Sequence, residues 1–169
     1  MTEAYLNQIA TKVPHHEVHH RFDDFAKRQI TDRRRAIVDR MSKRSGIERR
    51  YAVFSPSAEP NDPIALDAEG FFKVGAFPST AQRMQIYNRE ATPLAARAVA
   101  DLDPDDVART THLIVTSCTG FAAPGVDLQL ISKLGLPLTI ERTMIGFMGC
   151  YAAINALRLA RSIVRADPD

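Results

Sequence analysis

No uninterrupted apolar run in the 169 residues approaches the roughly 18 needed to cross a membrane, so no spanning helix is expected. Only two cysteines are present, too few for a disulfide scaffold, which points to the reducing cytoplasm. The opening Met1-Thr2-Glu3-Ala4-Tyr5 has no basic leader followed by an apolar stretch, so no signal peptide is expected. Internal repeats, low-complexity tracts, zinc-ligand spacings and RNA-binding aromatic motifs are all missing, which leaves little for a nucleic acid to bind. What is there is an ordinary globular balance, 45% hydrophobic and 25% charged. That balance excludes a disordered chain, a collagen and a coiled-coil rod, and the length suits one domain or a large part of one.

The net charge of +2 conceals an asymmetry. Between Lys27 and Arg50 stand ten basic residues against Asp32, Asp39 and Glu48, a local charge of +7. A block of this kind suits a polyanionic partner or, equally, a solvated helix face. Within it Arg40 and Arg44 are spaced i, i+4, so a helix would carry both on one side, as a phosphate clamp requires.

The pattern along the chain is that of an α/β protein. Ala4 to Thr11 reads as a first strand, ended by Pro14. Val18, Phe22 and Phe25 fall on one helical face. A second helix is predicted from about Asp32 to Lys43, with Ala36, Ile37 and Met41 inward and Gly46 as its left-handed stop. Ile47 to Phe54 reads as extended. Ser55 to Thr80, with Pro56, Pro60, Pro63 and Pro78, reads as a surface excursion. A long helix follows over Thr80 to Leu102, with Met84, Tyr87, Leu94, Ala95 and Ala98 inward and a kink or restart at Pro93. Asp103-Pro104-Asp105-Asp106 is a helix-start signal. The apolar centre of His112 to Cys118 marks a strand buried on both faces. Val126 to Leu134 is an amphipathic helix closed by Gly135, Leu138 to Met144 is extended, and Gly146 to Arg165 is a last helix that begins buried and ends at the surface.

Two groups of residues could carry chemistry. Cys150 stands at a strand-to-helix junction after Gly149. A cysteine at a helix start meets unpaired N–H groups and the positive end of the dipole, which favour the nucleophilic thiolate. The alternative is a small buried hydrophobe. His15, His16, His19 and His20 give i, i+4 pairs on a helix, but without a neighbouring Cys or an H-E-x-x-H order they read as an exposed helix with fortuitous histidines, and no metal is expected.

Three ordered tracts resemble a known family. Ser45-Gly46-Ile47-Glu48-Arg49-Arg50-Tyr51 is one. The second is His112 to Gly120 with Pro124-Gly125-Val126-Asp127-Leu128-Gln129-Leu130. The third is Gly149-Cys150 with the small residues after it and Leu157-Arg158-Leu159-Ala160. Together they are similar to the N-terminal portion of type III polyketide synthases, the chalcone- and stilbene-synthase-like enzymes, and the style through Phe121 is that of bacterial members. The resemblance implies an α/β, thiolase-like fold, with a mixed sheet flanked by helices and a buried nucleophile helix near the C-terminus. The resemblance spans 1–169 as one N-terminal domain, and by it the chain is expected to be truncated.

By the same resemblance, Cys150 accepts an acyl group from acyl-CoA and extends it with malonyl-CoA. These are substrates, and no cofactor is implied. Arg40 and Arg44 match cations that hold the coenzyme A phosphates, while a third such position, often Lys, falls on Ile37. Thr116, Ser117, Cys118 and Thr119 fall on the wall of the acyl cavity, Cys118 being either a pocket residue or a core cysteine. Ala123 stands where plant relatives usually have a Met that reaches into the partner subunit. A homodimer is implied, without nucleic acid or membrane.

The family's His and Asn motifs, resembling "H-P-G-G" and "N-x-S-S", do not occur, so the chain reads as incomplete and in need of a C-terminal half. Two other readings stay open. One is a non-catalytic half that only dimerises or binds acyl-CoA. The other is a ketoacyl-ACP synthase III-like enzyme, whose nucleophile site is usually of Ala-Cys-Ala type.

Overall fold

The structure is a computed structural model that describes residues 3–59, 62, 64–120 and 122–166. It divides into two compact units, Val13–Gln82 and the described residues of Met1–Lys12 with Arg83–Asp169.

The first unit opens with β1 (His16–Glu17), which pairs antiparallel with β2 (Tyr51–Ala52). Between them run α1 (His19–Arg28) and α2 (Asp32–Ser45). Val18 and Phe25 are buried as the α1 periodicity requires, whereas Phe22 is 43% exposed. The histidines do not share one helix: His15 and His16 precede α1, and His19, the first residue of α1, is buried beside the Arg50 guanidinium. Among the described residues no group of three or more His, Cys, Asp or Glu could hold a metal ion.

Gly46 ends α2 in the left-handed conformation, φ 66°, the cap expected of it. The inward face of α2 differs from expectation. Ile37 and Met41 are exposed, and Val38, Asp39 and Ser42 are the half-buried positions. Polar contacts choose this face. Lys27 Nζ of α1 lies 2.5 Å from both the Asp23 and Asp39 carboxylates, and Ser42 donates to Asp23 at 3.2 Å. Burial alone would raise the Asp23 carboxyl, but the hydrogen bond and charge of Lys27 outweigh it and hold the group below its ordinary value. The hydrogen bonds to Asp23 and then Asp39 raise Lys27 in turn.

The stretch from Ser55 to Thr80 is not a bare surface excursion. Leu66 and Asp67 are buried in it, and Asp67 organises a turn by accepting from Phe71 N and Phe72 N, both at 2.7 Å. Two acceptor oxygens placed against two backbone donors replace the ladder that this Pro-bearing segment lacks. Pro60 and Pro63 lie outside the described residues.

The second unit is built on β3 (His112–Ser117), α5 (Val126–Leu134) and β4 (Glu141–Gly146), a β-α-β unit whose strands pair parallel from His112↔Glu141 to Ser117↔Gly146. Gly135 closes α5 at φ 66°. α3 (Thr80–Val99) packs Ala96 against Val126 and Leu130, with Tyr87, Ala91 and Ala95 around them. It runs through Pro93 without a break. The positions expected inward are half-buried, and the deepest are Thr92 and Ala96. α4 (Pro104–Ala108) starts on Asp103, which accepts from the Asp105 and Asp106 amides. α6 (Ala152–Ala166) completes the unit.

Three expectations are corrected here. Ala4 to Thr11 forms no ladder: a strand needs a neighbour, and this stretch is tied instead by Gln8 to Asp103 and Asp106. β3 is half-buried along its whole length, because among the described residues the sheet it belongs to has two strands. α6 starts at Ala152 and only that residue of it is buried, while Ile154 and Leu157 are more than half exposed.

Candidate active site

In a parallel pair the carboxyl ends of the strands open on one side, and loops leaving them converge there. Here the residues that leave β3 are Cys118 and Thr119, and those that leave β4 are Phe147 to Tyr151. Phe147 N donates to Ser117 O at 3.4 Å, so the ladder runs one step past the paired strands. Phe147 (φ 56°) and Gly149 (φ 79°) then take left-handed backbone, which no α-helix continues. That is why α6 begins later than periodicity suggests. It also places Cys150 in the turn immediately before the helix, where Gly149 O accepts from Ala152 N at 3.1 Å. Glycine is required at 149 for this backbone, and Phe147 is a bulky residue held where few non-glycine residues sit.

The expected site residues fall into two groups. Thr116 and Ser117 end β3 and are half-buried, and Cys118, Thr119 and Cys150 are exposed. The Cys118 thiol donates to Gly149 O at 3.2 Å, so the structure brings Cys118 to the residue before Cys150. Arg40 and Arg44 belong to the Val13–Gln82 unit, where both are exposed on α2 at i, i+4. Ala123 lines a cavity of about 400 Å³ beside the β3–α5 loop, together with Tyr87, Gly120, Pro124, Arg142 and Met144. Cys150 and the four expected wall residues are not among the residues that line this cavity. Phe121 lies outside the described residues.

Tyr87 is the residue that sequence reasoning missed. Helical spacing marked it as inward, but not what its hydroxyl would meet. Tyr87 Oη donates to Ser117 Oγ at 2.8 Å, which fixes the side chain next to Cys118. Its ring also lies across Gly120, where an added Cβ would come within 2.0 Å of the ring carbons. Gly120→Ala is therefore expected to push the ring away, break the Ser117 hydrogen bond and cost about 1–3 kcal/mol. Urea midpoints check this. In the double variant with Tyr87→Ala the two losses should be less than additive, since the clash needs both partners. An unchanged midpoint for Gly120→Ala would refute the packing.

Asp127, at the start of α5, is buried and meets Arg142 of β4 at 2.6 Å. This ion pair holds the helix onto the strand next to the cavity.

The N-terminal domain profile of the chalcone and stilbene synthases matches residues 2–168. The chain belongs to this family, the type III polyketide synthases. It is 34% identical, over 99% of its length, to the alpha-pyrone synthesis polyketide synthase-like Pks18 of Mycobacterium tuberculosis, of which it covers 42%. Among solved structures it superposes on PKS-I of the brown alga Ectocarpus siliculosus with a TM-score of 0.67 at 29% identity, covering 95% of this chain and 44% of that one. It superposes equally, TM-score 0.67 at 25% identity, on CsyB complexed with CoA-SH, covering 95% and 41%. The chain thus spans about two fifths of the length of the relatives it matches. The thiolase-like fold of type III polyketide synthases is the one it adopts in part. No described helix is long and apolar enough to cross a membrane.

Proposed function

We propose that this chain is the nucleophile-bearing N-terminal domain, residues 1–169, of a type III polyketide synthase. Cys150 takes an acyl group from acyl-CoA, and the complete enzyme extends it by decarboxylative condensation with malonyl-CoA. One observation supports this above the rest. The carboxyl ends of β3 and β4 and the start of α6 converge on an exposed Cys150 in a chain of this family. In the step proposed, the Cys150 thiolate attacks the thioester carbonyl, coenzyme A thiolate leaves, and the acyl group remains on sulfur. Thr116, Ser117, Cys118 and Thr119 would border the bound acyl chain, with Tyr87 holding Ser117 in place. The setting is a cytoplasmic homodimer.

Incubation with an acyl-CoA followed by trypsin tests the first step. The acyl mass should appear on peptide 143–158, which holds Cys150, and not on peptide 110–133, which holds Cys118.

Arg40 and Arg44 are the proposed contacts for the coenzyme A phosphates. Both are exposed cations on one face of α2, and the related CsyB has been solved with CoA-SH. Arg40→Ala or Arg44→Ala is expected to weaken acyl-CoA binding by about 1–3 kcal/mol, the range of charge-assisted hydrogen bonds. An acyl thioester without the nucleotide should bind these variants and the unaltered chain alike. Equal losses for both donors would make the arginines structural.

A second reading, a thiolase-like half that binds acyl-CoA or dimerises without catalysis, draws on one fact. No residue of the 169 matches the His or Asn motif of the resemblance.

A further inference from the structure

We propose that Cys118 and Cys150 form a reversible redox pair, in which Cys118 captures an oxidised Cys150 as an intramolecular disulfide. The Cys118 thiol is 3.2 Å from the carbonyl oxygen of Gly149, the residue bonded to Cys150. A carbonyl oxygen lies within about 3 Å of the next Cα across a planar trans peptide, so Cys118 Sγ is no more than about 6 Å from Cys150 Cα. That separation is within the reach of two cysteine side chains. Both residues are exposed, so a small oxidant reaches either. They are also the only cysteines of the chain, so no other thiol of the chain competes. Cys118 comes from the β3 end and Cys150 from the β4 end, and the parallel ladder between those strands holds the two loops together.

The oxidant is a peroxide. Cys150 thiolate attacks one peroxide oxygen, the O–O bond breaks, and Cys150 sulfenic acid and hydroxide result. Cys118 sulfur then attacks Cys150 sulfur, the S–S bond forms and a second hydroxide leaves. The two thiol protons convert both hydroxides to water, so two thiols and one peroxide give one disulfide and two waters. The pair has a clear consequence. A sulfenic acid with no resolving thiol goes on to sulfinic acid, which dithiols do not reverse. With Cys118 beside it, Cys150 is parked in a form that a dithiol restores. The inference uses only the placement of the Cys118 sulfur against the backbone that leads into Cys150 and does not depend on what Cys150 accepts when reduced.

The test is hydrogen peroxide treatment of the dilute chain with no acyl-CoA present, then unreduced tryptic mapping. Peptides 110–133 and 143–158 should appear joined, the chain should lose about 2 Da, and dithiothreitol should return both thiols. In Cys118→Ser, Cys150 should instead gain about 32 Da as sulfinic acid and stay oxidised in dithiothreitol. The joined peptides should form at least about tenfold faster in the native chain than in urea, where the intervening loop must close by chance. That comparison needs no variant. Sulfinic acid on Cys150 of the unaltered chain to the same extent as in Cys118→Ser would overturn the pair. So would linkage no faster than in urea, or linkage only between two chains.

Discussion

Cys150→Ala is expected to take up no acyl group from acyl-CoA, whereas Cys118→Ser still does. The expectation is all or none because thioester exchange needs a sulfur nucleophile, and alanine offers nothing in its place. The two cysteines are told apart by their settings. Cys150 stands exposed in the turn immediately before α6, open to an incoming thioester. Cys118 follows a strand end, and its thiol is engaged with Gly149 O. Intact mass after incubation reads the result. Acylation of Cys150→Ala, or its loss in Cys118→Ser with the fold retained, would assign the chemistry to the wrong sulfur. Iodoacetamide gives an independent ranking: peptide 143–158 should be labelled faster than 110–133 between about pH 6 and 8.

Malonyl-CoA is expected to give no elongated product with the purified 169-residue chain. Decarboxylation leaves an enolate whose oxygen must be met by preorganised donors, and removing one such donor typically costs about 100- to 1000-fold in rate. The resemblance assigns that work to a His and an Asn. His112 opens β3 next to Glu141 at 3.4 Å, at the opposite end of the strand from Cys118, so it is no substitute. Uncovered apolar surface points the same way. Ile154 and Leu157 of α6 and Leu138 before β4 are exposed. In the other unit an apolar cavity of about 720 Å³ opens among Phe22, Phe25, Phe54, Phe72 and Phe77. Surfaces of this kind call for a covering partner, so the chain alone should self-associate in sedimentation experiments. Product formed from malonyl-CoA by the chain, free of any longer enzyme, would refute the expectation. A sharp thermal transition of a monomer, unchanged with concentration, would refute the part about covering.

Local rules were readable wherever a residue's neighbours in sequence are also its neighbours in space. Gly46 and Gly135 stop α2 and α5 because a left-handed cap is a property of a single residue. Asp103 starts α4 because its acceptor and the amides it caps are within three residues of each other. Three motifs in order carried the family. Reading failed where distant partners decide. Ala4 to Thr11 has the composition of a strand but gained no ladder, and the α2 face was chosen by Lys27, Asp23 and Ser42 rather than by Ile37 and Met41.

The sequence by itself determined the family, through it the fold class, and the helix stops, since ordered motifs and caps depend on residue type and short spacing, and it singled out Cys150 as the candidate nucleophile. Tertiary structure alone decided that Cys118 meets the turn before Cys150, that Tyr87 holds Ser117 across 30 residues, and that Gly120 must stay bare beneath the tyrosine ring. The physical reason is pairing in register: once β3 and β4 align Ser117 with Gly146, the loops that follow are brought together whatever their separation along the chain.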